Sequence, residues 1–286
     1  MSVIRDLFAH RRHVETAFVL GGGGNLGAVQ VGMLRALLER QITPDLVIGC
    51  SVGAINGAAL AADPTVAGAM RIWDCWSRLG GDDIFPHGRL HGPWQLVRRG
   101  EALFVNDGLR RVIEDWLPYR KFEETKVPLE IVAVSLRTEQ DVWFSSGPVV
   151  EPVLASAALP AVFPPVWIDG EAFIDGGVVN NVPLMRAVEL GAKRIFVLHC
   201  GNFERERPHP QRPLDVLIRA FSIARSYRFK RDGNLIPDGV EIVTLPGIDP
   251  GPVRYNDLSH SVEIMDRAHT AASSFLDART AVASGT

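Results

Sequence analysis

Short apolar runs alternate with longer stretches of helical periodicity along most of the chain. The runs at 17–20, 46–48, 129–134, 173–174, 194–198 and 241–245 are brief, rich in Val, Ile, Leu and Phe, and read as strands. Apolar positions recur three and four apart at 26–40, 52–62, 109–116, 184–190, 214–229 and 258–281, which predicts helices. Continuously apolar strands separated by helices belong in a parallel sheet covered on both faces, so the expected class is α/β. Asp169-Gly170, just ahead of the run at 173, predicts a hairpin turn. The stretch 203–213 is charged and Pro-rich and reads as a surface loop. Between the second strand and the run at 129 stand Trp73, Trp76, Phe85, Trp94, Phe104 and Trp116, either as core aromatics under a long connection or as the wall or lid of an acyl-binding site.

Composition narrows the classes without choosing among them. The 286 residues are 47% hydrophobic and 22% charged, with 27 Gly and 19 Pro, which excludes a disordered, collagen-like or low-complexity chain. A net charge of -3 gives no global attraction for nucleic acid, so no nucleic-acid partner is expected. Cys50, Cys75 and Cys200 are widely spaced and form neither a disulfide framework nor a zinc pattern. The basic segment 1–13 runs into Val14, Glu15 and Thr16 with no apolar export core, and no run is long enough to span a bilayer. The expectation is a cytoplasmic protein that meets membrane only peripherally.

The chemistry gathers at strand ends. Gly21, Gly22, Gly23 and Gly24 follow the first strand and, with Asn25, Leu26 and Gly27, lead into a helix, so backbone amides there can approach an anion closely. Gly22, Gly24 and Gly27 match a dinucleotide fingerprint, but that fold needs an acidic residue ending the second strand. The chain has Gly49-Cys50-Ser51-Val52-Gly53 there instead, a G-x-S-x-G between strand and helix. Small neighbours permit the sharp turn that lifts a serine hydroxyl clear of a sheet, which makes Ser51 the candidate nucleophile, Gly49 and Gly53 its elbow, and the amides of Gly22, Gly23 and Gly24 a candidate oxyanion hole. Downstream, Asp175-Gly176-Gly177 ends a strand at the same sheet edge, with Asp175 the candidate base and Gly176 and Gly177 its turn. Asn180 and Asn181 fit either as groups around Asp175 or as local caps.

With these pieces in this order, joined by the stretch 155–165 (ASAALPAVFPP) and the Asn-Asn-x-Pro tail of the aspartate turn, the chain resembles a bacterial patatin-like phospholipase over roughly its first 200 residues. The resemblance implies a three-layer patatin fold, a Ser51–Asp175 dyad, and hydrolysis of lipid acyl esters without metal or cofactor. One position departs from the pattern: Leu26 stands where the family's loop usually has Arg or Lys. That predicts a preference for neutral esters over strongly anionic diacyl phospholipids, unless Arg35 or a basic residue of the tail fills the place.

Three rivals share these residues. A Ser-Asp-His triad esterase would recruit His199 at the end of the 194–198 run, although an elbow after only two strands is early for that arrangement. An acyltransferase would use the same dyad, and a non-catalytic lipid-binding protein would keep the fold alone. The expected organisation is a basic segment at 1–13, a catalytic core at 14–200 with an aromatic-rich insertion at 65–125, and a mainly helical part at 201–286 packed on that core. In that last part Arg219, Arg225, Arg228, Lys230 and Arg231 read as a solvated helix face or as a contact for anionic lipid.

Overall fold

The structure, a computed structural model, describes residues 14–85, 102–201, 213–251, 254 and 256–284. The segment 1–13, Trp94 and residues 203–212 of the Pro-rich loop lie outside the described residues. At the centre is β1 (Thr16–Leu20), buried throughout, with β2 (Leu46–Cys50) parallel on one side and β7 (Arg194–Leu198) parallel on the other. Further out come β3 (Leu129–Ser135), parallel to β2, and β8 (Glu241–Thr244), parallel to β7. The antiparallel members are β4 (Asp141–Phe144), β5 (Val166–Ile168) and β6 (Glu171–Asp175), which complete an eight-stranded mixed sheet in the order β5-β6-β3-β2-β1-β7-β8, with β4 on β3.

Side chains of a strand point alternately to its two faces, and β1 uses both. Phe18 and Leu20 enter the larger core, while Ala17 and Val19 pack with Leu46, Ile48, Ile195 and Val197 on the other face. The larger core is closed by α1 (Gly27–Glu39), α2 (Val52–Ala62), α3 (Val66–Arg78) and α9 (Ser261–Ser284), and the smaller by α7 (Leu184–Glu189). The result is the expected three-layer α/β patatin fold. Elements absent from the periodicity reading are short or irregular: α4 (Gly81–Ile84), α6 (Val150–Ser156), β4 and β5. α3 is longer, and its start is marked by Thr65, whose side chain accepts the Gly68 amide as an N-cap. The turn between β5 and β6 is the hairpin read from the sequence, with positive φ at Asp169 and Gly170.

One feature of the sheet positions everything that follows. β4 pairs with β3 across the stretches used by both β2 and β6, so β2 and β6 must share the opposite edge of β3. They run towards each other along it, and Cys50 opposite Val132 is followed at once by Asp175 opposite Ala133. Two loops that are 124 residues apart in sequence therefore meet head to head.

Candidate active site

After Cys50 the chain turns into α2 through Ser51, at φ 56 and ψ -126, a backbone conformation that a non-glycine residue holds only under constraint from its surroundings. The constraint is visible. The Ser51 amide donates to Ser156 Oγ at 2.8 Å, and that hydroxyl donates to the Val132 carbonyl at 2.6 Å, which ties the elbow to α6 and β3. A Cβ at Gly53 would stand 2.2 Å from the Leu20 carbonyl oxygen, so only glycine lets α2 begin so close to β1. Gly49 is similarly pressed against the first turn of α2.

Ser51 Oγ donates to Asp175 Oδ2 at 2.7 Å, and both residues are buried. The other carboxylate oxygen accepts the Gly177 amide at 2.7 Å and faces the Cys50 thiol at 4.0 Å, while Gly176 lies against the Val132 carbonyl. Burial pushes the Asp175 carboxyl above its ordinary value, although the charge of Arg225, the Ser51 hydroxyl and the Gly177 amide all pull it down.

The glycine loop is held from below by a buried amide network. Gln30 Nε2 donates to the carbonyls of Gly21 and Leu198, Asn56 Nδ2 donates to Gln30 Oε1, and Trp76 Nε1 donates to Asn56 Oδ1. Of the three glycines read as oxyanion donors, Gly22 gives its amide to the Asn181 carbonyl at 3.1 Å. Gly23 and Gly24 line the cavity above Ser51, and their amides have no acceptor among the described residues. Gly23 is extended, at φ -180, so the need for glycine there is steric: a Cβ would stand 2.1 Å from Cys200 Cβ.

Above the two acid-base groups opens a cavity of about 830 Å³, walled by Trp76, Phe85, Trp116, Val162, Phe163 and Leu258 among others. Both readings of the aromatic stretch are thus represented, since Trp73 is core while Trp76, Phe85 and Trp116 form the wall. Val162 and Phe163 come from the 155–165 stretch, which also contributes Ser156.

The remaining candidates separate. His199 is buried, with its ring against the backbone of Gly201 and Leu245 and its pKa lowered by burial, and it is not part of the cavity lining. Asn180 donates to Asp141 Oδ2 rather than to Asp175, whereas Asn181 Nδ2 reaches the Gly22 carbonyl at 3.3 Å. Leu26 packs on the core; Arg35 pairs with Glu39 and lies over the Trp73 ring, so it does not enter the site. The basic cluster of α8 (Pro213–Gly233) divides as well: Arg228 and Arg231 pair with buried Asp232, and Arg225 lines the cavity beside Ser51 and Asp175. Sequence reasoning missed Ser156, Gln30, Asn56 and the placement of Arg225. Only the helical phase of 214–229 carried any signal of the last.

Among the described residues no cluster of His, Cys, Asp or Glu is arranged to hold a metal ion. A family model described as "Patatin-like phospholipase" matches residues 18–188. The chain is 31% identical over 194 residues to "Patatin-like phospholipase domain-containing protein 6" of Mus musculus, covering 65% of this chain and 13% of the relative. It is 29% identical over 202 residues to "Lysophospholipase nte1" of Aspergillus terreus, covering 68% and 12%. This chain thus spans only a small part of the length of these curated relatives. Among solved structures, VipD from Legionella pneumophila superposes over 93% of this chain and 67% of its own, at 14% identity and a TM-score of 0.49.

Proposed function

Because the chain belongs to the patatin-like phospholipase family, we propose that it hydrolyses carboxylic esters of lipids, with Ser51 as nucleophile and Asp175 as general base. The observation that carries this reading is the 2.7 Å hydrogen bond from Ser51 Oγ to Asp175 Oδ2 at the floor of an apolar cavity. Ser51 Oγ attacks the ester carbonyl carbon as its proton passes to Asp175, and the carbonyl oxygen becomes an oxyanion facing the amides of Gly23 and Gly24. Collapse expels the alcohol, which takes the proton from Asp175 and leaves an acyl-serine. Water then repeats the sequence, with Asp175 again accepting the proton and Ser51 released. The direct contact leaves no place for an imidazole between the two residues, which supports a dyad over a triad using His199.

The acyl chain fits the aromatic wall, and substrate would be drawn from a membrane surface by a protein that stays on the cytoplasmic side of it. Among the described residues no helix is long and apolar enough to cross a bilayer. Support for a peripheral contact comes from α8, where Val216, Ile223 and Tyr227 are exposed at i, i+7 and i+11, a single stripe at ~100° per residue. The bacterial branch of the family and the division at residues 13 and 200 belong to this reading too.

The test is a fluorophosphonate serine probe followed by hydrolysis of a panel of lysolipids, monoacylglycerols and diacyl phospholipids. Ser51→Ala and Asp175→Asn should fold and lose at least 1000-fold in turnover, or about 4 kcal/mol of transition-state stabilisation. His199→Gln should keep most activity. A folded His199→Gln variant as inert as Ser51→Ala would restore the triad.

A further inference from the structure

The dyad leaves one requirement that the motif residues do not meet. Asp175 is 1% exposed, and a carboxylate stripped of water resists the ionised form that a base needs. The groups around it are mostly neutral. From β2 come the Ser51 hydroxyl and the Cys50 thiol, and from the end of β7 the nearby Cys200 thiol; burial raises both thiols, which keeps them protonated at pH 7. The turn after β6 adds the Gly177 amide. Among the described residues the cation acting on this cluster is Arg225 of α8.

Its placement is specific. Arg225 Nε donates to the Gly177 carbonyl at 2.9 Å. A Cβ placed on Gly177 would stand 2.8 Å from Arg225 Nη2, 2.9 Å from Asp175 Oδ1 and 2.6 Å from Asn181 Oδ1. Guanidinium and carboxylate therefore face each other across the space that glycine leaves open, and Nη2 is buried with no hydrogen-bond partner among the described residues. Along α8, Arg225 is nine positions from Val216, which at ~100° per residue puts it on the face opposite the exposed apolar stripe. Arginine suits the place because its charge does not titrate away and its fork can hold a carbonyl with one nitrogen while another faces the carboxylate.

We propose that Arg225 is a positioning residue of the reaction: anchored on the Gly177 carbonyl, its guanidinium fixes the turn that carries Asp175 and supplies the counter-charge that keeps this carboxylate ionised. The proposal rests on the reading of Ser51 and Asp175 as the dyad. It also accounts for a catalytic loop with Leu26 in place of a cation, since positive charge reaches the site from a helix outside residues 18–188.

The experiment is the pH dependence of kcat/KM for a neutral soluble ester, p-nitrophenyl butyrate, in wild type, Arg225→Gln and Arg225→Lys, with the rate of fluorophosphonate labelling as a second readout. In Arg225→Gln the acid limb should move up by about one unit or more, as expected for losing an opposite charge within a few ångströms. Turnover at pH 7 should fall about tenfold and recover at higher pH, with KM little changed; a merely structural role would not restore activity with pH. Arg225→Lys keeps the charge and loses the Nε bond, so its limb should stay within about half a unit of wild type. Three results overturn the proposal: an Arg225→Gln limb that does not move, a loss confined to anionic lipids, which would make Arg225 a head-group contact instead, or a Lys variant whose limb rises by a full unit. Should Arg225→Gln not fold, the Lys variant and its labelling profile decide. Ser51→Ala, run in parallel, separates the two levels: if it remains active the dyad itself is wrong, and if it is inert while the limbs coincide only the role of Arg225 is lost.

Discussion

Asp175 couples catalysis to stability through a single proton. Its folded pKa lies above the ordinary aspartate value of about 3.9 because burial outweighs the groups that favour its charge. Between the unfolded and the folded value the native state binds the proton more tightly than the unfolded chain, so this group's contribution to stability falls as pH rises through that window. Above the folded value the cost of the buried charge is fully present. Removing the charge with Asp175→Asn should therefore raise thermal stability relative to wild type by an amount that grows with pH above 4 and then levels off, while activity is lost. Thermal melts of the two proteins from pH 3.5 to 8 check this, and a difference that is flat across the range would show that the carboxylate titrates as it does in the unfolded chain. Ser51 stores cost of another kind, a strained backbone worth roughly 1–3 kcal/mol, held by Ser156 at its amide.

The glycine loop and α8 act as elements. The loop is stiff because Gln30, Asn56 and Trp76 satisfy its lower face with buried hydrogen bonds, and because Cys200 fills the space where a side chain on Gly23 would go. Gly23→Val must push the loop off Cys200, moving the Gly23 and Gly24 amides away from the oxyanion. Losing such a donor typically lowers turnover about 100–1000-fold, with KM much less affected; steady-state kinetics on a short ester measure the split, and normal turnover in a folded variant would remove the loop from the reacting carbonyl. α8 turns Arg225 inward and its apolar stripe outward. Replacing Ile223 and Tyr227 by Glu places two carboxylates on that stripe, which should reduce sedimentation with phospholipid vesicles at least several-fold while hydrolysis of a soluble ester stays unchanged. Vesicle binding equal to wild type would move the lipid contact elsewhere.

At the scale of the whole molecule, the part after residue 200 is built into the same body as the motifs. β8 extends the central sheet beyond β7, and Ile264, Met265, Ala268, Ala272 and Leu276 of α9 lie in the larger core beside α1. Ending the chain at residue 200 would expose that face of α1 and the edge of β7 together, and would remove Arg225 from the site. Such a fragment should be recovered aggregated or should melt without a cooperative transition, as circular dichroism would show. A cooperatively folding 1–200 fragment would make the later part a separate unit.

The pattern of short apolar runs determined the class of fold, because a strand buried on both faces has to be written almost wholly in apolar residues. Local glycine and serine chemistry likewise marked the elbow, the loop and the aspartate turn, each a few residues that must bend in a particular way. What no local signal encodes is which loops meet. The head-to-head approach of β2 and β6 along one edge of β3 brings Ser51 to Asp175, and Asn181, by accepting the Gly22 amide on its carbonyl, leaves Gly23 and Gly24 as the free donors. Arg225 illustrates the limit most sharply. In sequence it is one of five basic residues on a helix, and only the packing of that helix on the turn at Gly177 separates it from those that pair with Asp232 or face solvent. A charge acquires its role from the dielectric and the partners around it, and tertiary structure alone supplies both.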